Sequence, residues 1–182
     1  MDNGLCRAKK LSEVLRFLKK GNVLECGTGT GKVIATLQRT KDFKVIGLDI
    51  SINILKAAKN IGDQNELVCA DAQHLPFREN SFDNIICLRT FRMLSQPLLF
   101  LKECKRVLKK RESARARRVV FSFETTSYPL FNLGLRLKLV PKKEFDHYYS
   151  LEEGLTLVKS AGLQVYAVKR LFMLHPPLLW TN

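Results

Sequence analysis

The chain has 182 residues, 46% of them hydrophobic and 26% charged, the proportions of one globular domain with material for a real core. No apolar run reaches the roughly 20 residues of a membrane span, and no apolar core with a cleavage site follows Arg7, Lys9 and Lys10. A protein that does not span a membrane and carries no secretory leader is therefore expected. The net charge of +14 points to polyanions such as RNA, to an anionic surface, or simply to solvated basic faces.

In chain order, Leu11, Val14, Leu15 and Leu18 recur at helical spacing, which predicts an amphipathic helix over Leu5–Lys19 within an N-terminal segment 1–21, stopped by Gly21-Asn22. Val23–Cys26 reads as a strand, followed by a glycine turn and a helix over Lys32–Gln38. Lys44–Leu48 is a second strand ending at Asp49, after which Ser51 caps a helix running to about Asn60. Leu67–Cys69 is a third strand, with Asp71 just beyond it, and Phe82–Leu88 a fourth. Pro97 starts a helix that continues to about Lys110, and Val119–Phe123 is the fifth strand. After an irregular insertion over 125–149, Ser150 caps a helix to Ala161, Gly162 stops it, and Leu163–Leu171 reads as a last strand.

Strands that alternate with helices and are continuously apolar predict a doubly wound, mostly parallel α/β sheet covered on both faces. A single domain over 1–182 is expected, with Lys109–Arg118 a charged connector inside it. The charge is uneven: nine Lys or Arg against two Glu lie between Lys102 and Arg118, yet no aromatic residues interleave as on a base-stacking platform. Cys6, Cys26, Cys69, Cys87 and Cys104 contain no C-x-x-C pair, and three of them fall in strands expected to be buried. They read as small core residues in a reducing cytoplasm, with no metal expected.

The chemistry concentrates at the strand ends. V-L-E-C-G-T-G-T-G places glycines at 27, 29 and 31, whereas a dinucleotide fingerprint would need one at Lys32. Backbone N–H groups of such a turn can meet a carboxylate. Asp49, eighteen residues after Gly31, can accept from both ribose hydroxyls. Asp71 can accept from an exocyclic adenine amine, and the Ala72 N–H can meet a ring nitrogen. One strand-end acid is ordinarily a cap; Glu25, Asp49 and Asp71 at the ends of three successive strands make a ligand site the better reading.

The alternating glycines, with Glu25 as the acidic member, resemble motif I of the class I S-adenosylmethionine (SAM) dependent methyltransferases. A-D-A-Q-H-L-P-F-R-E-N-S-F-D-N-I-I-C and L-K-E-C-K-R-V-L-K are similar to later motifs of the branch that includes the ubiquinone/menaquinone-biosynthesis methyltransferases. The segment Y-Y-S-L-E-E-G-L-T-L-V-K-S-A-G-L-Q-V resembles the family's late helix and C-terminal antiparallel strand, so the likeness covers about Val23 to Leu171.

The resemblance implies a Rossmann-like fold and methyl transfer from SAM as co-substrate, without metal. It implies a cofactor set of Glu25, Gly27, Thr28, Gly29, Gly31, Asp49, Ile50, Asp71, Ala72 and Leu88, with Leu88 and Arg89 lining the transfer channel. The family's histidine after strand four is Met93 here, and no catalytic residue is assigned; His147, in the insertion that can fold over the site just before the last helix, is the candidate base. The expected acceptor is a small molecule or lipid-like compound. RNA, a SAM-binding module without catalysis, and completion of the site in a homodimer are the alternatives.

Overall fold

The computed structural model describes residues 12–60, 66–110, 118–122, 147, 149–165, 167 and 168. Helical residues 12–17 (α1) lead into β1 (Gly21–Cys26), α2 (Lys32–Gln38), β2 (Phe43–Asp49), α3 (Ile52–Lys59) and β3 (Glu66–Cys69). After β4 (Asn84–Leu88) come a 3-10 turn (Phe91–Met93), α4 (Pro97–Val107), β5 (Arg118–Ser122) and α5 (Leu151–Ser160). The five strands form one parallel sheet in the order β3-β2-β1-β4-β5. The mostly parallel α/β architecture expected from the strand–helix alternation is therefore present.

Neighbouring residues on a strand face opposite sides of the sheet, and the two cores divide accordingly. Val23, Val45 and Ile86 pack with Val14 and Leu18 near α1 and with Ile34 and Leu37 of α2. Leu24, Cys26, Leu48, Ile85 and Cys87 join Phe100, Leu101, Cys104 and Val107 of α4 and Val158 of α5 on the other side. Apolar runs with no polar alternation are the sequence signature of this two-sided burial.

The caps behave as their chemistry requires. Ser51 Oγ accepts from the Ile54 N–H, and Ser150 forms a reciprocal capping box with Glu153. Gly162 ends α5 at φ +69°. At the amino edge of the sheet, the buried Asn84 amide accepts from Lys19 N–H and donates to Lys19 carbonyl, while Asp83 meets Lys109 Nζ at 2.6 Å. That edge is occupied by structural bonding.

Three expectations are corrected. Gly21-Asn22 does not merely end α1 but opens β1, because Gly21 and Asn22 pair with Phe43 and Lys44. Cys69 is exposed rather than buried, since β3 has one neighbour among the described strands; Cys26, Cys87 and Cys104 are buried. Residues 163–165, 167 and 168 are not in a strand, and 169–171 of the expected last strand lie outside the described residues, as do Cys6 and most of the 125–149 insertion.

Candidate functional site

The five described strands are all parallel, so their carboxyl ends share one edge, and the strand order reverses between β1 and β4. In open α/β sheets that reversal opens a crevice for ligands. Beyond Cys26 the chain turns through Gly27, Gly29 and Gly31 at φ +75°, +55° and +78°, a conformation that resists a side chain. A Cβ on Gly27 would also run into the Thr90 side chain in the turn after β4; one on Gly29 would meet nothing. Gly27 therefore lets two strand ends approach, while Gly29 faces open space.

The turn is fastened to β2. Gly27 and Thr28 both donate to the Leu48 carbonyl, at 2.7 and 3.0 Å, and Gly29 N–H donates to Asp49 Oδ2 at 2.9 Å. Asp49 Oδ1 takes the Ser51 N–H at 3.0 Å. Gly31 N–H closes on the Thr28 carbonyl at 3.0 Å, whereas the Thr30 N–H has no acceptor among the described residues. Fewer turn N–H groups thus remain for a ligand carboxylate than the glycine spacing alone implies. Asp49 keeps further lone pairs on both oxygens for hydroxyl donors.

Glu25 lies behind the turn, only 3% exposed. Its Oε2 accepts from Thr28 Oγ1 at 2.8 Å. Burial pushes its pKa up to about 8, against the lowering pull of the Thr28 hydroxyl and the Ile34 N–H, with nearby Asp49 adding to the rise. Its position makes it a brace between the turn and α2.

Asp71 stands beyond the end of β3. Burial alone would raise its pKa, but the Gln73 N–H, the Gln73 amide and His74 together hold the carboxyl below its ordinary range. Gln73 N–H reaches Asp71 Oδ1 at 2.8 Å, and its side-chain amide reaches both oxygens at 3.2 Å. The other end of that amide accepts from Ser95 Oγ at 3.0 Å and Gln96 N–H at 2.6 Å. The Ala72 N–H beside it has no acceptor among the described residues, and Ile50 is 74% exposed next to Asp49. A nucleoside fits this edge: two carboxylates for hydroxyls and an amine, one unspent N–H, and an apolar side chain for a ring.

A family model described as a methyltransferase domain matches residues 24–113. A demethylmenaquinone methyltransferase of Thermotoga maritima is 36% identical over 104 residues, 57% of this chain and 45% of that protein. An uncharacterized protein of Methanocaldococcus jannaschii is 41% identical over 87 residues, 48% of this chain and 36% of that one. Over residues 24–113 the chain is similar to the class I SAM-dependent methyltransferases.

A solved SAM-dependent methyltransferase from Aquifex aeolicus shares the fold, with TM-score 0.64, 22% identity and coverage of 92% of this chain and 91% of that one. The chain spans half or less of the length of the first curated methyltransferase relatives and their uncharacterized kin. Among the described residues, no group of His, Cys, Asp or Glu could hold a metal ion, and no helix is long and apolar enough to cross a membrane.

Gly27, Thr28, Gly29, Gly31, Asp49, Ile50, Asp71 and Ala72 share the carboxyl edge, with Glu25 buried behind them and partly buried Leu88 closing β4. His147 is exposed and donates its backbone N–H to the Arg92 carbonyl at 2.8 Å; its ring lies 5.9 Å from that of Tyr149. It thus sits by the turn after β4. Met93, at the family's histidine position, is 56% exposed in the same turn.

Sequence reasoning missed four contributors: Gly47, Thr90, Gln73 and Arg106. A Cβ on Gly47 would meet Ile34 and Thr28, so this glycine lets α2 and the turn close on β2; a glycine inside an apolar strand was its signal. Arg106 Nε and Nη2 grip Glu103 at 2.7 Å, while Nη1 and Nη2 donate to the Phe77 and Leu75 carbonyls. Glu103 Oε2 also takes the Leu75 N–H at 2.9 Å. The L-P-F and E-x-x-R segments of the sequence are therefore the two halves of one clamp behind Asp71. Thr90 and Gln73 had no local signal.

Proposed function

We propose that this protein transfers the SAM methyl group to a small-molecule or lipid-like acceptor. The observation that carries the reading is the pair of strand-end carboxylates, Asp49 and Asp71, flanking a glycine turn whose Gly29 opens on free space. Asp49 would hold the ribose hydroxyls, Asp71 the adenine amine, Ala72 N–H a ring nitrogen and Ile50 the ring face. Thr30 N–H would meet the amino-acid end. The demethylmenaquinone methyltransferase relative supports a small-molecule acceptor.

SAM supplies a sulfonium whose loss of methyl releases a neutral thioether, so the protein's task is alignment and exclusion of water. The turn and Asp49 fix the donor, while the β4 end (Leu88 to Thr90) sets the line of approach. Where the acceptor must lose a proton, His147 would take it. Calorimetry with SAM, followed by transfer of labelled methyl to fractionated cell extract, tests the reading. Label in small or lipid-like compounds supports it. Label in RNA, with steeply salt-dependent RNA affinity, would overturn the choice of acceptor.

A further inference from the structure

The carboxyl edge is divided by charge. The strand order puts Asp49 and Asp71, at the ends of β2 and β3, on one side of the glycine turn. Arg89 follows β4 on the other side, with Arg92 three residues on. Between them, buried Glu25 has its pKa raised to about 8 and brings little negative charge to the centre at neutral pH.

Arg89 is held in an unusual backbone state. Its φ is +67°, in the left-handed region that a side chain disfavours. Its N–H donates to Ser122 Oγ at 3.0 Å, tying the bend to β5, and the next residue, Thr90, fills the space left by Gly27. The bend is thus fixed from both neighbouring strands. Its side chain is exposed, and no carboxylate among the described residues pairs with it. A strained position at a ligand edge that keeps an unpaired cation is a feature stability alone does not explain.

We infer that the methyl acceptor carries an anionic group, a carboxylate or a phosphate, and that Arg89 binds it. This rests on the methyltransferase reading above. A guanidinium offers two parallel donors to either anion, so it fixes the acceptor's orientation as well as its charge. The donor's ribose and adenine then lie on the acidic half and an anionic acceptor on the basic half. Methyl transfer forms the bond from methyl carbon to acceptor nucleophile, breaks that to sulfur, and leaves the electron pair on sulfur; any proton lost goes to His147 or solvent.

The experiment begins with calorimetry of S-adenosylhomocysteine against the full chain. No binding there would overturn the methyltransferase reading itself. With binding in hand, labelled SAM is offered to a panel of matched compounds: carboxylic acids with their amides, and phosphate monoesters with their parent alcohols. Turnover of the anionic member of a pair is expected to exceed that of the neutral member, and the two arms separate carboxylate from phosphate. R89Q should lower kcat/KM for anionic acceptors roughly ten- to hundredfold, the worth of a charge-assisted hydrogen bond. R89K should keep part of the activity, and S-adenosylhomocysteine affinity should stay within about twofold in both.

R89G should raise Tm by releasing the backbone strain, yet lose the anionic preference; a purely structural arginine would not show that split. If no compound is methylated, titration of the S-adenosylhomocysteine complex with benzoate and phenyl phosphate decides: binding lost in R89Q supports the inference. No binding of either anion, equal use of neutral acceptors, or unchanged kinetics in R89Q would overturn it.

Discussion

The Asp49 carboxylate spans two backbone N–H groups, taking Gly29 at 2.9 Å on one oxygen and Ser51 at 3.0 Å on the other. One side chain therefore fixes the glycine turn to the start of α3 and still presents lone pairs outward. Asp49→Ala should weaken SAM binding by about 1.5–3 kcal/mol, as for lost hydrogen bonds to a charged group, and lower Tm through the freed turn. Calorimetry and thermal unfolding check both. Unchanged affinity would remove Asp49 from the ribose role.

Gly27 and Gly29 make a matched pair of substitutions. Gly29→Ala meets open space and should cost roughly 1–2 kcal/mol for left-handed backbone alone. Gly27→Ala adds overlap with Thr90, so its loss of stability should be larger, and Thr90→Ala in the same chain should recover part of it. Denaturant unfolding of Gly29→Ala, Gly27→Ala, Thr90→Ala and the Gly27→Ala/Thr90→Ala double variant measures this coupling. Equal costs at the two glycines would mean that the Thr90 contact does not matter.

Glu25 predicts a pH dependence with a definite sign. Its folded pKa, about 8, lies above the ordinary value of 4.5 that it takes when unfolded. The folded state therefore holds the proton more tightly, and this contribution is fully present below about pH 4.5. It is lost as pH rises through about 8, by up to about 1.4 kcal/mol per pH unit across that window. Glu25→Gln, which keeps the neutral shape, should flatten that part of the stability–pH curve and raise Tm at alkaline pH. A variant whose Tm follows the same curve as the natural protein would contradict the assignment.

Arg106 should resist conservative replacement. Its fork holds Glu103 and two backbone carbonyls, a geometry that a lysine cannot copy. Arg106→Lys should cost roughly 1–3 kcal/mol, the range for lost charged hydrogen bonds, with faster hydrogen exchange at Leu75 N–H. Exchange rates at that amide and urea unfolding provide the check; protection as in the natural chain would show the clamp to be dispensable.

Much of the architecture was legible locally. Apolar runs marked all five described strands, and Ser51, Pro97, Ser150 and Gly162 marked helix ends through side-chain chemistry that acts over a few residues. Glycine spacing and three acids marked the ligand edge. What stayed hidden depends on the sheet order. Thr90 matters because β4 lies beside β1, and Gln73 because the end of β3 is bridged to Ser95 and Gln96. Cys69 looked like a core residue because β3, with one neighbour among the described strands, carries the same apolar pattern as a central strand.

The most direct measurement is calorimetric titration of the full chain with SAM. Binding in the micromolar range, weakened in Asp49→Ala and in Asp71→Ala, is the predicted result. A chain that folds with its expected helix and strand content and takes up no SAM at millimolar concentration would contradict the account.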